Sequence, residues 1–246
     1  MSRLPVAGDF PGNVSLAIVP PPKNDPPTNV LILLHGLGDT HESFANLGKQ
    51  MNLPETVCIS IQGPQKLLDL GGFHWGDDII FDSNNAGIDA DAGFKQATAM
   101  LKGLVLDDVI GKCGYKAREI VIFGFGQGGI AALNLAVAMH NADESTRSEL
   151  GGVITVGAPL PVEAPASLKP KCKTPVLVCA GSSNSLVTPS SEDKLNHIFE
   201  SVEVKRYRRP GDHMPNSRDE MMPIMQFLSR RLRNTKGVPA GSVEIS

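Results

Sequence analysis

No excess of one charge marks this chain: 23 lysines and arginines stand against 26 acids, a net charge of -3. That balance offers no electrostatic footprint for a phosphate backbone and excludes a nucleic-acid partner. Aromatic residues are few, at 5%. Its four cysteines, Cys58, Cys113, Cys172 and Cys179, form no C-x-x-C pair and have no histidine at ligand spacing. They read as reduced core thiols of a cytoplasmic protein, with no metal and no cofactor implied. The start, Met1-Ser2-Arg3-Leu4-Pro5, lacks the apolar region of a signal peptide. No apolar run reaches the roughly 18 residues that a bilayer span needs, and neither a myristoylation start nor a prenylation box is present. The expectation is a protein without integral membrane association. The 25 glycines and 19 prolines follow no period, which excludes a collagen-like repeat.

What is present is the composition of a globular domain: 246 residues, 41% hydrophobic and 20% charged. One domain is predicted over 1–234, with a flexible tail over 235–246. Short apolar runs are predicted as strands near Ser15–Val19, Val30–Leu34, Thr56–Ile61, Glu119–Phe123, Val153–Val156, Val176–Ala180 and Val202–Tyr207. Most are continuously apolar, so they are read as buried on both faces. Helical patterns fill the gaps near Asp89–Ile110, Gln127–Met139, Pro189–Phe199 and Pro223–Leu232. Strands alternating with helices in this way predict an α/β fold, a mostly parallel doubly wound sheet flanked by helices.

The most informative segment runs from Glu119 through Gly124-Phe125-Gly126-Gln127-Gly128-Gly129, a strand entering a tight glycine turn and then an apolar helix. Three readings fit. In a nucleophile elbow, G-x-S-x-G, a sharp turn presents a serine oxygen; Gly124 and Gly128 match, but Gly126 stands at the serine position. In a dinucleotide fingerprint, G-x-G-x-x-G, Gly124, Gly126 and Gly129 match by letter. The following strand there ends in Gly157-Ala158 rather than in an acid for the ribose, and Asp143 and Glu144 precede it. In the third reading, the glycines only let a helix approach a strand closely.

Other segments narrow the choice. Leu34-His35-Gly36-Leu37-Gly38-Asp39 follows the first central strand; then come Trp75-Gly76-Asp77-Asp78, the turn at Gly126, Ala180-Gly181-Ser182-Ser183-Asn184, and Pro210-Gly211-Asp212-His213. This order, from about Val30 to Arg233, resembles the phospholipase/carboxylesterase family of α/β-hydrolases, the group that includes the acyl-protein thioesterases. The resemblance implies an α/β-hydrolase fold. It also implies an oxyanion hole from the backbone N–H groups of Leu37 and Gln127, a general base at His213, the triad acid at Asn184 and the nucleophile at Gly126. The chain order nucleophile, acid, histidine is kept.

Two of three triad positions are therefore replaced, a pattern of natural degeneration rather than of a single engineered knockout. Loss of a triad serine costs on the order of 10⁶-fold in turnover. Asparagine in place of the acid costs about 10⁴-fold where the other members are intact. The leading expectation is a degenerate acyl-protein thioesterase/carboxylesterase-family protein retained for binding an acyl ester, a thioester, a lipidated peptide or a protein. The alternative is an active hydrolase in which His213 activates a bound water. Its acid would be Asp212, Glu192 or Asp193, or its nucleophile a substitute among Ser182, Ser183, Ser185 and Thr40.

Remaining candidates have plainer readings. His35 is expected to shape the oxyanion loop. His41, His74, His140 and His197 lack metal spacing and are placed at the surface or its boundary. Lys205, Arg206, Arg208 and Arg209 read as the solvated face of an outer strand, and Arg230, Arg231 and Arg233 as the cationic end of a helix. Met214, Met221, Met222 and Met225 fill core or line an acyl groove. Phe73 and Trp75 are assigned to the substrate cleft.

Overall fold

A computed structural model describes residues 2–22, 25, 27–68, 71–82, 87–141 and 148–235. Asp143, Glu144 and the tail beyond Thr235 lie outside the described residues. Seven strands form one sheet: β1 (Leu16–Val19), β2 (Asn29–Leu34), β3 (Thr56–Ile61), β4 (Ile120–Phe125), β5 (Gly152–Val156), β6 (Val176–Ala180) and β7 (Val202–Arg206). Their spatial order is β1-β3-β2-β4-β5-β6-β7. Only the β1–β3 pair is antiparallel within it. The sheet is mostly parallel, as the apolar runs predict, and the strand boundaries agree to within about two residues.

Continuous hydrophobicity has a direct cause here. Successive side chains point to opposite faces, and both faces are covered. Val30, Ile32, Leu34, Ile120 and Ile122 pack on one side with Leu101, Ile130 and Leu133. Leu31, Leu33, Val121 and Phe123 pack on the other with Phe44, Ile224 and Phe227. Each such side chain, buried at 0–3% exposure, contributes about 1.5–3 kcal/mol.

The helices are α1 (His41–Met51), α2 (Lys95–Gly103), α3 (Gln127–His140), α4 (Pro189–Ile198) and α5 (Arg218–Arg231), with a π-helical stretch, Leu104–Lys112, continuing α2. Three differ from the sequence reading. α1 is not among the predicted helices, although Phe44, Ala45 and Gly48 give it a buried face. α2 starts at Lys95 rather than Asp89, because Gly93 sits at φ +76° and the Asp77 carboxylate caps the new start from another loop. Its two oxygens accept the N–H groups of Lys95 (2.8 Å) and Gln96 (2.9 Å). α5 begins ahead of Pro223, since the Ser217 side chain accepts the Glu220 N–H and starts the helix there. Pro223 then sits inside the helix, at the loss of one main-chain bond.

At the far end of the chain, Thr235 donates its N–H and hydroxyl to Glu55 Oε2, at 2.9 and 2.7 Å. Among the described residues no helix is long and apolar enough to cross a membrane.

Candidate active site

β4 runs into α3 through Gly126, whose backbone lies at φ +50°, ψ -119°. Its carbonyl accepts the first helical N–H groups, from Gly129 and Ile130, at 2.9 and 3.0 Å. The four glycines of this turn are there for different reasons. A Cβ on Gly124 would stand 2.4 Å from the Gly128 carbonyl oxygen, one on Gly128 2.3 Å from the His35 oxygen, and one on Gly129 2.6 Å from Ala158 Cβ. Those three positions are closed by contact, which is the close-approach reading. Gly126 differs, because a Cβ there would meet nothing within 4 Å. Its positive φ is the strained arrangement of an elbow residue.

Against this turn lies the segment His35-Gly36-Leu37. A Cβ on Gly36 would stand 2.7 Å from Phe125 Cδ1. His35 is fully buried and holds the segment in shape. Its Nε2 accepts the Gly63 N–H at 2.9 Å, so Nδ1 carries the proton and donates to the Gly36 carbonyl at 2.7 Å. Burial pushes the imidazole below its ordinary value, which keeps this tautomer neutral. The Trp75 indole donates to the His35 carbonyl at 2.8 Å. Among the described residues, neither the Leu37 nor the Gln127 main-chain N–H has a hydrogen-bond partner. Both positions thus present orphan donors, and Gln127 sits in the first turn of a 14-residue helix, where the dipole favours negative charge.

The Gln127 side chain works in the opposite direction, into the fold. It is 2% exposed, its Oε1 accepts the Trp75 N–H at 2.7 Å and its Nε2 donates to the Ala90 carbonyl at 3.2 Å. Sequence reasoning assigned Gln127 only a backbone role, and no local signal points to this clasp. Trp75 has 0% exposure. It is therefore an anchor beneath the His35–Leu37 segment rather than a wall of the cleft, and of the expected pair only Phe73 is partly exposed.

His213 is exposed on the loop after β7. Its ring folds back on its own chain, Nε2 standing 2.8 Å from where a Cβ on Gly211 would be. Asn184 is exposed, at φ +50°, and no hydrogen bond joins it to His213. Asp212 instead reaches into the loop that carries Asn184, its Oδ1 and Oδ2 accepting the N–H groups of Gly181 (3.0 Å) and Leu186 (2.8 Å). Glu192 is paired with Arg206. The His213 loop is braced by Arg209, which binds Glu220 at 2.7 Å and the Met214 carbonyl at 2.7 Å. Among the substitute nucleophiles, Ser182 donates to the Arg208 carbonyl at 3.3 Å and the Ser185 hydroxyl accepts the Val187 N–H at 3.0 Å. The Ser185 bond is a local turn bond, while that of Ser182 ties its loop to the one after β7.

Several other candidates resolve. Met214, Met221 and Met225 pack on the second core cluster, while Met222 is exposed. The basic residues are largely paired: Arg206 with Glu192, Arg209 with Glu220, Arg230 with Glu203 and Arg233 with Glu119. His74 and His140 are buried, at 3% and 4% exposure, not at the surface or its boundary.

The model of the Phospholipase/Carboxylesterase family matches residues 16–232. The chain belongs to the phospholipase/carboxylesterase family. An uncharacterised hydrolase of Schizosaccharomyces pombe, C9G1.08c, is 32% identical over 210 residues, covering 83% of each chain. Another from Mycosarcoma maydis, UM10204, is 32% identical over 216 residues, covering 84% of this chain and 78% of that protein. Among solved structures, Zea mays acyl-protein thioesterase 2 superposes with a TM-score of 0.64 at 21% identity, covering 89% of this chain and 99% of that one. A carboxylesterase from Mesorhizobium loti superposes at 0.66 and 15% identity, covering 92% and 99%. At such identities these two establish the α/β-hydrolase fold of this phospholipase/carboxylesterase-family chain.

Proposed function

We propose that this family member forms no acyl-enzyme and uses its oxyanion segment as a receptor for an acyl group, binding the carbonyl of an ester or thioester or the carboxylate of a free acyl acid. The observation that carries this reading is Gly126: an elbow backbone with open space where a nucleophile would project and no oxygen to attack with. The orphan N–H groups of Leu37 and Gln127 support it. A free donor in the first turn of a helix, as Gln127 offers, stabilises oxygen carrying partial or full negative charge whether or not a reaction follows. The cytoplasm remains the proposed location, and a lipidated peptide the proposed macromolecular ligand.

The test compares hydrolysis of short- and medium-chain acyl esters and thioesters by the protein and by His213→Ala, prepared identically. Equal background rates are expected, together with saturable binding of a medium-chain fatty acid that weakens in Gly126→Val, whose side chain fills the open space. Turnover that disappears in His213→Ala would replace this reading with water-mediated hydrolysis. Absence of any acyl binding would defeat the receptor role.

A further inference from the structure

The N-terminal ends of β5 and β6 lie a strand length from the elbow. There His140, at the end of α3, meets Glu149 and Cys172 from two different loops. His140 Nδ1 is 2.8 Å from Glu149 Oε1, and Cys172 Sγ is 3.3 Å from Glu149 Oε2. His140 Nε2 is 3.0 Å from the Pro170 carbonyl oxygen. The Thr174 N–H and hydroxyl also reach Glu149 Oε2, at 3.1 and 3.0 Å. Candidate ligand atoms of the three side chains all lie within 4.8 Å of one another.

Both ring nitrogens of His140 face oxygens that only accept. A neutral imidazole has a single N–H, so one of these contacts requires a second positive centre, either an extra proton or a metal cation. With Nε2–H donated to the Pro170 carbonyl, the ring is oriented as metal-bound histidines usually are, and its Nδ1 lone pair is aimed at the carboxylate. The donor set is one nitrogen, one sulfur and one carboxylate, the mixture that suits zinc. A thiolate and a carboxylate would neutralise a divalent ion, so no net charge would be buried.

We propose that His140 Nδ1, Cys172 Sγ and the Glu149 carboxylate form a site for a thiophilic divalent cation of the zinc type. It ties the end of α3 to the loops that start β5 and β6. Metal entry displaces the Cys172 thiol proton and the proton held between His140 and Glu149. Without metal the cluster is held as a hydrogen-bonded network. Glu149 is the partly exposed member, with 28% of its side chain accessible, and provides the route of entry. The sequence spacing of 9 and 23 residues hid this site, because the fold alone brings the three together.

The experiment is a Co²⁺ titration of the chelator-treated, full-length protein, followed by absorption. A 1:1 thiolate-to-cobalt charge-transfer band in the near ultraviolet is expected, lost on adding Zn²⁺. Cys172→Ser removes the band, and Glu149→Gln, which keeps hydrogen-bonding capacity, weakens binding at least about 10-fold while circular dichroism shows the fold intact. Zn²⁺ should raise the Tm of the parent more than that of Glu149→Gln at the same concentration. A band that survives in Cys172→Ser, reporting Cys58, Cys113 or Cys179, overturns the proposal. So does a parent protein that shows no saturable band.

Discussion

Gln127 Oε1 accepts the main-chain N–H of Trp75 at 2.7 Å, so the residue that opens α3 also clasps the loop beneath it. The elbow is thereby fixed to the His35–Leu37 segment through Trp75, whose indole holds the His35 carbonyl. This scaffold is complete without a nucleophile, which is why the site keeps its shape with glycine at 126.

Gly126→Ser combined with Asn184→Asp is expected to create esterase activity at least about 10²-fold above the parent, a small part of the ~10⁶ a triad serine contributes. The single Gly126→Ala variant should show no gain. A side chain at positive φ costs about 1–3 kcal/mol, so both should melt a few degrees earlier. Hydrolysis of p-nitrophenyl acyl esters and thermal scans check these outcomes together.

Gln127→Leu should destabilise the fold by about 1–3 kcal/mol, because it leaves the buried Trp75 N–H without an acceptor. Urea unfolding measures this. A value near zero would mean that water replaces the clasp.

Trp75 is the single tryptophan of the chain, which makes its environment easy to read. Blue-shifted emission and little quenching by acrylamide are expected for a fully buried ring. Ready quenching would return Trp75 to the cleft wall.

Acidification should destabilise the protein early. Burial lowers His35 and His74 below the ordinary histidine value of 6.5. Each then binds its proton more readily when unfolded, so its stabilisation is full above about pH 6.5 and is lost as pH falls towards the folded value. The Tm should therefore begin to drop between pH 7 and 6, before the carboxylates protonate. Histidine titration by NMR should place His35 and His74 below the ordinary histidine value of 6.5.

Arg209→Met should loosen the His213 loop by removing its bonds to Glu220 and the Met214 carbonyl. A small loss of stability is expected for this solvent-screened pair, with faster amide exchange confined to residues 210–216.

The sheet was legible in the sequence because a strand buried on both faces must be apolar throughout, and such runs are hard to mistake. The elbow was legible for a related reason, since close backbone contact at Gly124, Gly128 and Gly129 admits no other residue. What could not be read were bonds between distant segments: Asp77 capping α2, Gln127 clasping Trp75, and His140 meeting Cys172. Neither periodicity nor local propensity encodes such pairs. The helix α1 was different, for its apolar Phe44, Leu47 and Met51 carry a helical period that went unread.

The open space at Gly126 also decides how the protein responds to chemical probes. Organophosphorus reagents label serine hydrolases by capturing the elbow oxygen, and this elbow has none to capture. The protein should remain unlabelled in a profile of serine hydrolases prepared from its own cells, however abundant it is. A ligand large enough to enter the space above Gly126 would, conversely, be excluded by relatives that carry a side chain there, giving a selective reversible handle on this one fold.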